Sequence, residues 1–148
     1  MDDVHIRHAD TQEDLRACFG VMQQLRPHLQ TYEDFAQRVR RMSAERYRIL
    51  SAWNGQASLA VAGYRLQENL IYGRFLYVDD LVTTVASRGR NLGARLLAEL
   101  SGIAARQGCE KLVLDTGLAN ALAQRFYFRQ GLVTGAIRFS KSIDKEEQ

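Results

Sequence analysis

Residues 77–93 read YVDDLVTTVASRGRNLG, and this stretch decides how the rest of the chain is interpreted. Positions 75–84 are mostly apolar and predict a strand. The pair Asp79 and Asp80 interrupts its apolar pattern but not the predicted strand. A loop rich in arginine and glycine follows, and Leu92 then begins a series of apolar residues at helical spacing. A strand, a short loop and the start of a helix therefore follow one another without a gap.

The helix start predicted here is a candidate anion site. The first N–H groups of a helix have no partner within it, and the helix dipole adds partial positive charge, so phosphate and pyrophosphate bind there. Gly89 and Gly93 allow the backbone to approach an anion, and Arg88 and Arg90 add positive charge. The alternative is an ordinary turn with solvated arginines. The glycine spacing G-x-x-x-G fits neither a dinucleotide-binding G-x-G-x-x-G loop nor a P-loop.

Patterns on either side of this stretch predict the remaining elements. Further strands are expected at 4–8, 47–53, 57–66, 111–115 and 133–143. Helices are expected to begin at Asp10 or Thr11, at Thr31, near Leu92 and near Leu122, the last ending at Gly131. Asn54-Gly55 predicts a two-residue hairpin turn. The order β-α-α-β-β-β-α-β-α-β predicts a mixed sheet with helices on its faces.

Composition limits the class of protein. The chain has 148 residues, of which 46% are apolar and 25% charged, and it is expected to form a single domain over residues 1–148. No apolar run could span a membrane, and the first ten residues lack a signal-peptide core, so we expect a cytoplasmic protein. Two cysteines and three histidines suggest neither a disulfide framework nor a metal site. The net charge of +3 is weak evidence for nucleic acid, and residues 144–148 are expected to be a frayed tail.

Three segments together resemble the GNAT superfamily of N-acetyltransferases. Residues 88–94, RGRNLGA, are similar to its R/Q-x-x-G-x-G/A acetyl-CoA loop. Residues 120–132, NALAQRFYFRQGL, resemble its N-x-x-A-x-x-F-Y-x-x-x-G-F block, and residues 77–82 resemble the acidic strand before the loop. The chain departs from the pattern at Asn91, which replaces a loop glycine, and at Leu132, which replaces a phenylalanine.

The resemblance implies a fold, a cosubstrate and its contacts. We expect a GNAT-like α+β fold, with a mixed and mostly antiparallel sheet of about six to seven strands flanked by four helices, in a homodimer that uses acetyl-CoA and no metal. Asparagine tolerates left-handed backbone, so the amide of Asn91 can still face the pyrophosphate. The resemblance assigns cofactor contacts to Leu81, Val82 and Thr83, to Arg88, Gly89, Arg90, Asn91, Leu92, Gly93 and Ala94, and to Asn120.

Acetyl transfer also requires a proton acceptor. A free alkylamine has a pKa of about 10 and must lose a proton before it attacks, directly or through a water, to a carboxylate. Successive strand residues point to opposite faces, so only one of Asp79 and Asp80 is expected to face a given cleft. The resemblance favours Asp79 as the base or amine-orienting group, with Asp80 bonded within the fold. The alternatives are that both cap a distortion of the strand or pair with arginines, or that Asp115 is the base.

Tyr127 occupies the family's general-acid position. Proton transfer from a phenol to a thiolate is uphill by about 2 kcal/mol, so we expect Tyr127 mainly to donate a hydrogen bond to the departing sulfur. The alternative is a core aromatic residue. For Asn120 the alternative is a helix cap, for which asparagine is well suited.

Three functions agree with these patterns. The first is acetylation of a primary amine of a small molecule or protein by direct attack in a ternary complex, since no cysteine lies in the matching motifs. The second is a non-catalytic acyl-CoA-binding module. The third is acetylation of an RNA-borne amine, whose only support is the arginines at 38, 40, 41, 46 and 48. The sequence does not specify the acceptor.

Overall fold

The computed structural model describes residues 3–145, and its backbone is built from nine helices and strands within that range. They are β1 (Val4–His8), α1 (Gln12–Leu25), α2 (Tyr32–Ser43), β2 (Tyr47–Asn54), β3 (Ala57–Asn69), β4 (Gly73–Thr83), α3 (Leu92–Arg106), β5 (Lys111–Leu114) and α4 (Ala121–Arg129). A single 3-10 turn, Val85–Ser87, joins β4 to the loop before α3. The chain divides into two units, one ending at Leu114 and the other beginning at Asp115.

The first unit is organised around one sheet with the strand order β1-β2-β3-β4-β5. Neighbouring strands are antiparallel except β4 and β5, which are parallel. The β2–β3 hairpin turns through Gly55 and Gln56, because Asn54 still pairs with Ala57. The predicted Asn54-Gly55 turn is therefore displaced by one residue, and the glycine takes the left-handed conformation with φ +61°.

Local side-chain signals fix the starts of the first two helices. Thr11 forms a reciprocal capping box with Asp14, and the Thr31 hydroxyl accepts a hydrogen bond from the amide of Asp34. Proline cannot continue a helix, and Pro27 comes directly after Arg26, which caps the carboxyl end of α1. These helices begin at the threonines that the sequence indicates.

The helices α1 and α2 bury one face of the sheet. Cys18 and Met22 of α1 and Phe35 of α2 belong to the same core cluster as Trp53 and Val61 of the strands. Buried leucines of α3 do not belong to that cluster, and α3 contacts strands β2 to β5. Because side chains alternate along a strand, we place α3 on the opposite face.

The second unit contains α4. The prediction of a strand at 133–143 is wrong. In the described part of the chain, residues 132–145 form no strand, and the sheet has five strands rather than six to seven. The apolar alternation is present, but a strand also needs a hydrogen-bonded neighbour. Val133, Ile137, Phe139 and Ile143 are instead 71–89% exposed.

Two expectations concern the chain as a whole. No helix among residues 3–145 has the length and apolar character needed to cross a membrane. Of the predicted tail at 144–148, residues 146–148 lie outside the described residues.

Candidate active site

One edge of β4 is left without a strand neighbour. The parallel ladder with β5 ends at the pair Val78 and Leu114, whereas β4 continues to Thr83. On its other side β4 remains paired with β3 as far as Thr83 opposite Ala60. Within the described residues, the β5-facing side of residues 79–83 has no partner strand, and we call it the uncovered edge of β4. Such an edge can hydrogen-bond an extended ligand, and it contains the predicted contacts Leu81, Val82 and Thr83.

A β-bulge at Asp79 changes the direction of the two candidate carboxylates. Asp80 pairs with Gly63 and Val78 pairs with Tyr64, so Asp79 is the extra residue. The expectation that only one carboxylate faces a given cleft assumed a regular alternation, which the bulge interrupts. Asp79 pairs with Arg65 and Asp80 pairs with Arg26, as in the alternative in which both pair with arginines, and these residues form one cluster with Tyr47.

Asp80 is bound on both carboxylate oxygens. The Tyr47 hydroxyl donates a hydrogen bond of 2.6 Å to Oδ2, and Arg26 Nε donates one of 3.0 Å to Oδ1. Burial and the neighbouring Asp80 charge raise the pKa of the Tyr47 hydroxyl well above its usual value, so this hydroxyl stays protonated and donates. Arg26 also donates from Nη2 to the carbonyl oxygen of Asp79 over 2.8 Å.

Asp79 keeps one carboxylate oxygen available. Arg65 Nε donates a hydrogen bond of 3.1 Å to Oδ2, and Oδ1 accepts none from residues 3–145. Burial raises the pKa of the Asp79 carboxyl, and the positive charge of Arg65 opposes that shift. The arrangement can orient an amine and accept its proton on Oδ1.

The loop before α3 presents unpaired amides. Asn91 adopts the left-handed conformation, with φ 63° and ψ 26°, and its side chain does not cap the helix. The amides of Leu92, Gly93 and Ala94 have no hydrogen-bond acceptor in the described part of the chain. The buried Leu92 side chain anchors the start of the helix, while Arg88 through Asn91 are exposed. Amide donors and exposed arginines at one helix start fit a diphosphate.

The second unit carries the remaining predicted site residues. The Tyr127 ring packs edge-on against Phe126 at 5.4 Å, and its hydroxyl has no hydrogen-bond partner among residues 3–145. Burial raises the pKa of this hydroxyl. Asn120 Oδ1 caps α4 by accepting from the amide of Ala123, and Asp115 pairs with Arg138 at 2.8 Å.

Sequence reasoning missed four residues of the Asp79–Asp80 cluster: Arg26, Tyr47, Gly63 and Arg65. The two carboxylates are separated from Tyr47 by more than 30 positions, and only the strand register brings them together. Gly63 offered a signal, because a glycine inside an apolar strand marks a bulge or a close approach. A Cβ built on Gly63 would overlap the Tyr47 hydroxyl and Asp80 Oδ2.

A groove of about 570 Å³ lies elsewhere in the first unit, between α1, α2 and β2. Its lining includes Asp10, Tyr32, Arg40, Tyr47 and Arg48, and none of the residues that the sequence assigns to the site. The groove shares Tyr47 with the Asp79–Asp80 cluster, and its lining contains no residue of the uncovered edge of β4.

The arginines that could contact RNA are partly neutralised. Arg38 pairs with Asp34 at 3.0 Å and Arg48 pairs with Asp10 at 3.1 Å. Arg38 lies on α2 and Arg48 lies on β2. Their ion pairs reduce the positive charge that these residues offer to a phosphate backbone.

Two comparisons with known proteins match most of the chain. The family described as "Acetyltransferase (GNAT) family" matches residues 9–132. The chain is 27% identical to a Bacillus subtilis protein described as "Uncharacterized N-acetyltransferase YhdJ", over 95% of this chain and 99% of that protein.

Solved structures with low sequence identity share the fold. AAC(6')-Iy in complex with a bisubstrate analog matches with a TM-score of 0.81 at 15% identity, covering 97% of this chain and 100% of that one. Glucosamine-6-phosphate N-acetyltransferase from Arabidopsis thaliana matches with a TM-score of 0.73 at 20% identity, covering 97% and 100%. The predicted α+β fold is confirmed, apart from the number of strands.

Proposed function

Because the chain belongs to the GNAT acetyltransferase family, whose members transfer an acetyl group from acetyl-CoA to an amine, we propose that it acetylates the primary amine of a small molecule or protein by direct attack in a ternary complex. One observation carries this proposal. Only eight residues, 84–91, separate the uncovered edge of β4 from the unpaired amides that begin at Leu92. A ligand with an extended arm and a diphosphate matches both features.

The first unit supplies the groups that would hold acetyl-CoA. The amides of Leu92, Gly93 and Ala94 would bind the diphosphate, with Arg88, Gly89, Arg90 and Asn91 around it. Leu81, Val82 and Thr83 would pair with the pantetheine arm. Acetyl-CoA supplies an acetyl group activated as a thioester.

Asp79 is the proposed proton acceptor. Its unpaired Oδ1 would orient the amine and take the proton that the ammonium must lose before the neutral nitrogen attacks the thioester carbon. A main-chain N–H of residues 81–83 would stabilise the negative oxygen that forms. Asp80 is a less suitable base, because both of its carboxylate oxygens already accept hydrogen bonds.

Tyr127 would donate a hydrogen bond to the sulfur as the carbon–sulfur bond breaks and coenzyme A leaves. Its raised pKa makes full proton transfer to a thiolate less favourable than from an ordinary phenol, and this supports hydrogen bonding as its role. The support for Tyr127, and for a cofactor contact at Asn120, is the sequence match over residues 120–132.

The domain, assembly and location are part of the proposal. We propose that the two units act as one acetyltransferase domain, because the family match at residues 9–132 crosses the boundary at Leu114. The exposed apolar side chains between Val133 and Ile143 support a homodimer, which light scattering would test. Two free cysteines support a reducing, cytoplasmic location.

A panel of amine acceptors with detection of the released thiol tests the proposed activity. We expect at least one amine to release free coenzyme A from acetyl-CoA, and Asp79→Asn to slow that release about a hundredfold. Asp115→Asn is the matched control, since Asp115 is a carboxylate paired with Arg138, and it should keep wild-type turnover. Binding of acetyl-CoA without thiol release for any amine would instead establish an acyl-CoA-binding module.

A further inference from the structure

Two side chains from outside β4 hold its bulge. A bulged residue loses its place in the ladder, so its main-chain groups need other partners. Arg26, which follows α1, binds the carbonyl oxygen of Asp79 and the carboxylate of Asp80. Tyr47 of β2 binds the other oxygen of Asp80. The Asp80 side chain is only 12% exposed, whereas the Arg26 side chain is 41% exposed, so water is largely excluded from the carboxylate but reaches the guanidinium.

Gly63 provides the space for this arrangement. It lies opposite Asp80 in the β3–β4 ladder, and a side chain there would occupy the position of the Tyr47 hydroxyl. Its φ lies outside the left-handed region, unlike that of Gly55 or Gly89, so the backbone does not require glycine. Glycine is needed at position 63 because it has no side chain to overlap the Tyr47 hydroxyl.

We propose that Arg26 and Tyr47 are positioning residues, which act through Asp80 to fix the uncovered edge of β4 in the geometry that acetyl transfer needs. The proposal rests on the proposed function and extends it to residues outside the predicted site. Arg26, Tyr47, Gly63 and Asp80 are named the Asp80 clamp.

The position of the clamp argues for a role beyond stability. A partly buried ion pair is weak evidence for stability, since exposed pairs contribute little and well-packed apolar residues often stabilise a fold as much. This one is located at the first residues of the uncovered edge, next to the proposed base and the proposed oxyanion donor. A shift of about 1 Å in such groups can cost about a hundredfold in rate.

Tyr47→Phe tests the clamp by removing one hydroxyl. We expect kcat to fall about ten- to a hundredfold, while the Kd of coenzyme A, set mainly by the amides at the start of α3, stays within about twofold. Tyr32→Phe is the matched control, because the Tyr32 hydroxyl is exposed and makes only a 3.4 Å hydrogen bond to Gln12. An unchanged kcat in Tyr47→Phe, measured well below its Tm, would overturn the proposal.

Gly63→Ala is a second way to break the contact between the Tyr47 hydroxyl and Asp80. Its methyl group would overlap the Tyr47 hydroxyl and Asp80 Oδ2 and so push the two apart, while Arg26, Tyr47 and Asp80 keep their own side chains, and we expect the same loss of kcat. Both changes break the same contact, between the Tyr47 hydroxyl and Asp80. The double variant should therefore be no less active than the less active of the two single variants. Fully additive losses would show that Tyr47 does not act through this contact.

Hydrogen exchange separates failure of the clamp from failure of the proposed function. In Tyr47→Phe, amides of residues 80–83 should exchange faster, while those of the β1–β2 ladder keep their wild-type rates. This readout does not require turnover. A wild-type protein that acetylates no amine overturns the proposed function, and unchanged exchange at 80–83 overturns the clamp.

Discussion

Arg65 Nε donates a 3.1 Å hydrogen bond to Asp79 Oδ2, and the same guanidinium lies 3.3 Å from Glu45. Both Arg65 and Asp79 are about one-fifth exposed, so water screens their interaction only in part. Burial raises the pKa of the Asp79 carboxyl, and Arg65 limits the rise. Arg65 therefore keeps Asp79 ionised at a lower pH than burial alone would allow.

Replacement of Arg65 by glutamine should move the pH profile. Loss of the positive charge raises the pKa of Asp79 further, so the ionised base forms only at higher pH, and the acid limb of kcat/KM shifts upward. Rates measured from pH 5 to 9 should fall more at pH 6 than at pH 8. Arg65→Lys retains the charge and should shift the limb less. Identical acid limbs for wild type and Arg65→Gln would contradict a role of Asp79 as base.

Tyr127→Phe should slow turnover at every pH. A hydrogen bond to a charged group is worth about 1.5–3 kcal/mol, which corresponds to about a ten- to hundredfold loss in kcat. The affinity for acetyl-CoA should be nearly unchanged. Tyr72→Phe, which removes a hydroxyl from the β3–β4 turn, is the control. Normal turnover by Tyr127→Phe across the pH range would show that its assigned role is wrong.

Asn91→Ala should weaken binding of coenzyme A. Left-handed backbone costs an ordinary residue about 1–2 kcal/mol, and the φ of 63° at Asn91 sets the direction of the next amides. Calorimetry should show a Kd raised about five- to thirtyfold. Asn91→Gly permits the same backbone and should bind as wild type does. Equal affinity for the alanine and glycine variants would mean that this conformation does not matter for binding.

His8 should make stability depend on pH. Its Nε2 lies 2.7 Å from the Tyr64 hydroxyl, and burial, followed by the charge of Arg48, lowers its pKa below the ordinary 6.5. As the pH falls through 6.5, the unfolded chain takes up a proton that the folded chain does not, and the free energy of unfolding decreases. Urea unfolding between pH 7.5 and 5.5 should show this decrease, and His8→Gln should show less of it. Equal slopes would exclude His8 as the cause.

Local features of the fold could be predicted because each rests on neighbouring residues. Thr11 and Thr31 cap their helices as the sequence indicates, and Asn91 takes the left-handed conformation that asparagine tolerates. The position of the bulge at Asp79 does not follow from residues 75–84 alone, because they read as one strand, and the signal at Gly63 lies on the neighbouring strand. Whether Tyr47 meets Asp80 depends on the register of three strands, which no local pattern determines.

The strand predicted at 133–143 also shows that a local sequence pattern does not determine strand pairing. Alternating apolar residues give a segment the capacity to pair, but the partner lies elsewhere in space. Val133 and Phe139 have the right spacing and are 84% and 89% exposed. A local pattern thus describes what a segment can do, and pairing decides what it does.

The uncovered edge of β4 also bears on self-association. A row of unsatisfied main-chain groups invites other polypeptides to add on as further strands, which is how many proteins begin to aggregate. Here the row opens with a kink that carries two acidic side chains, and such irregularity with charge is a common protection against stacking between molecules. The bulge thereby makes this edge a poorer template for a further strand.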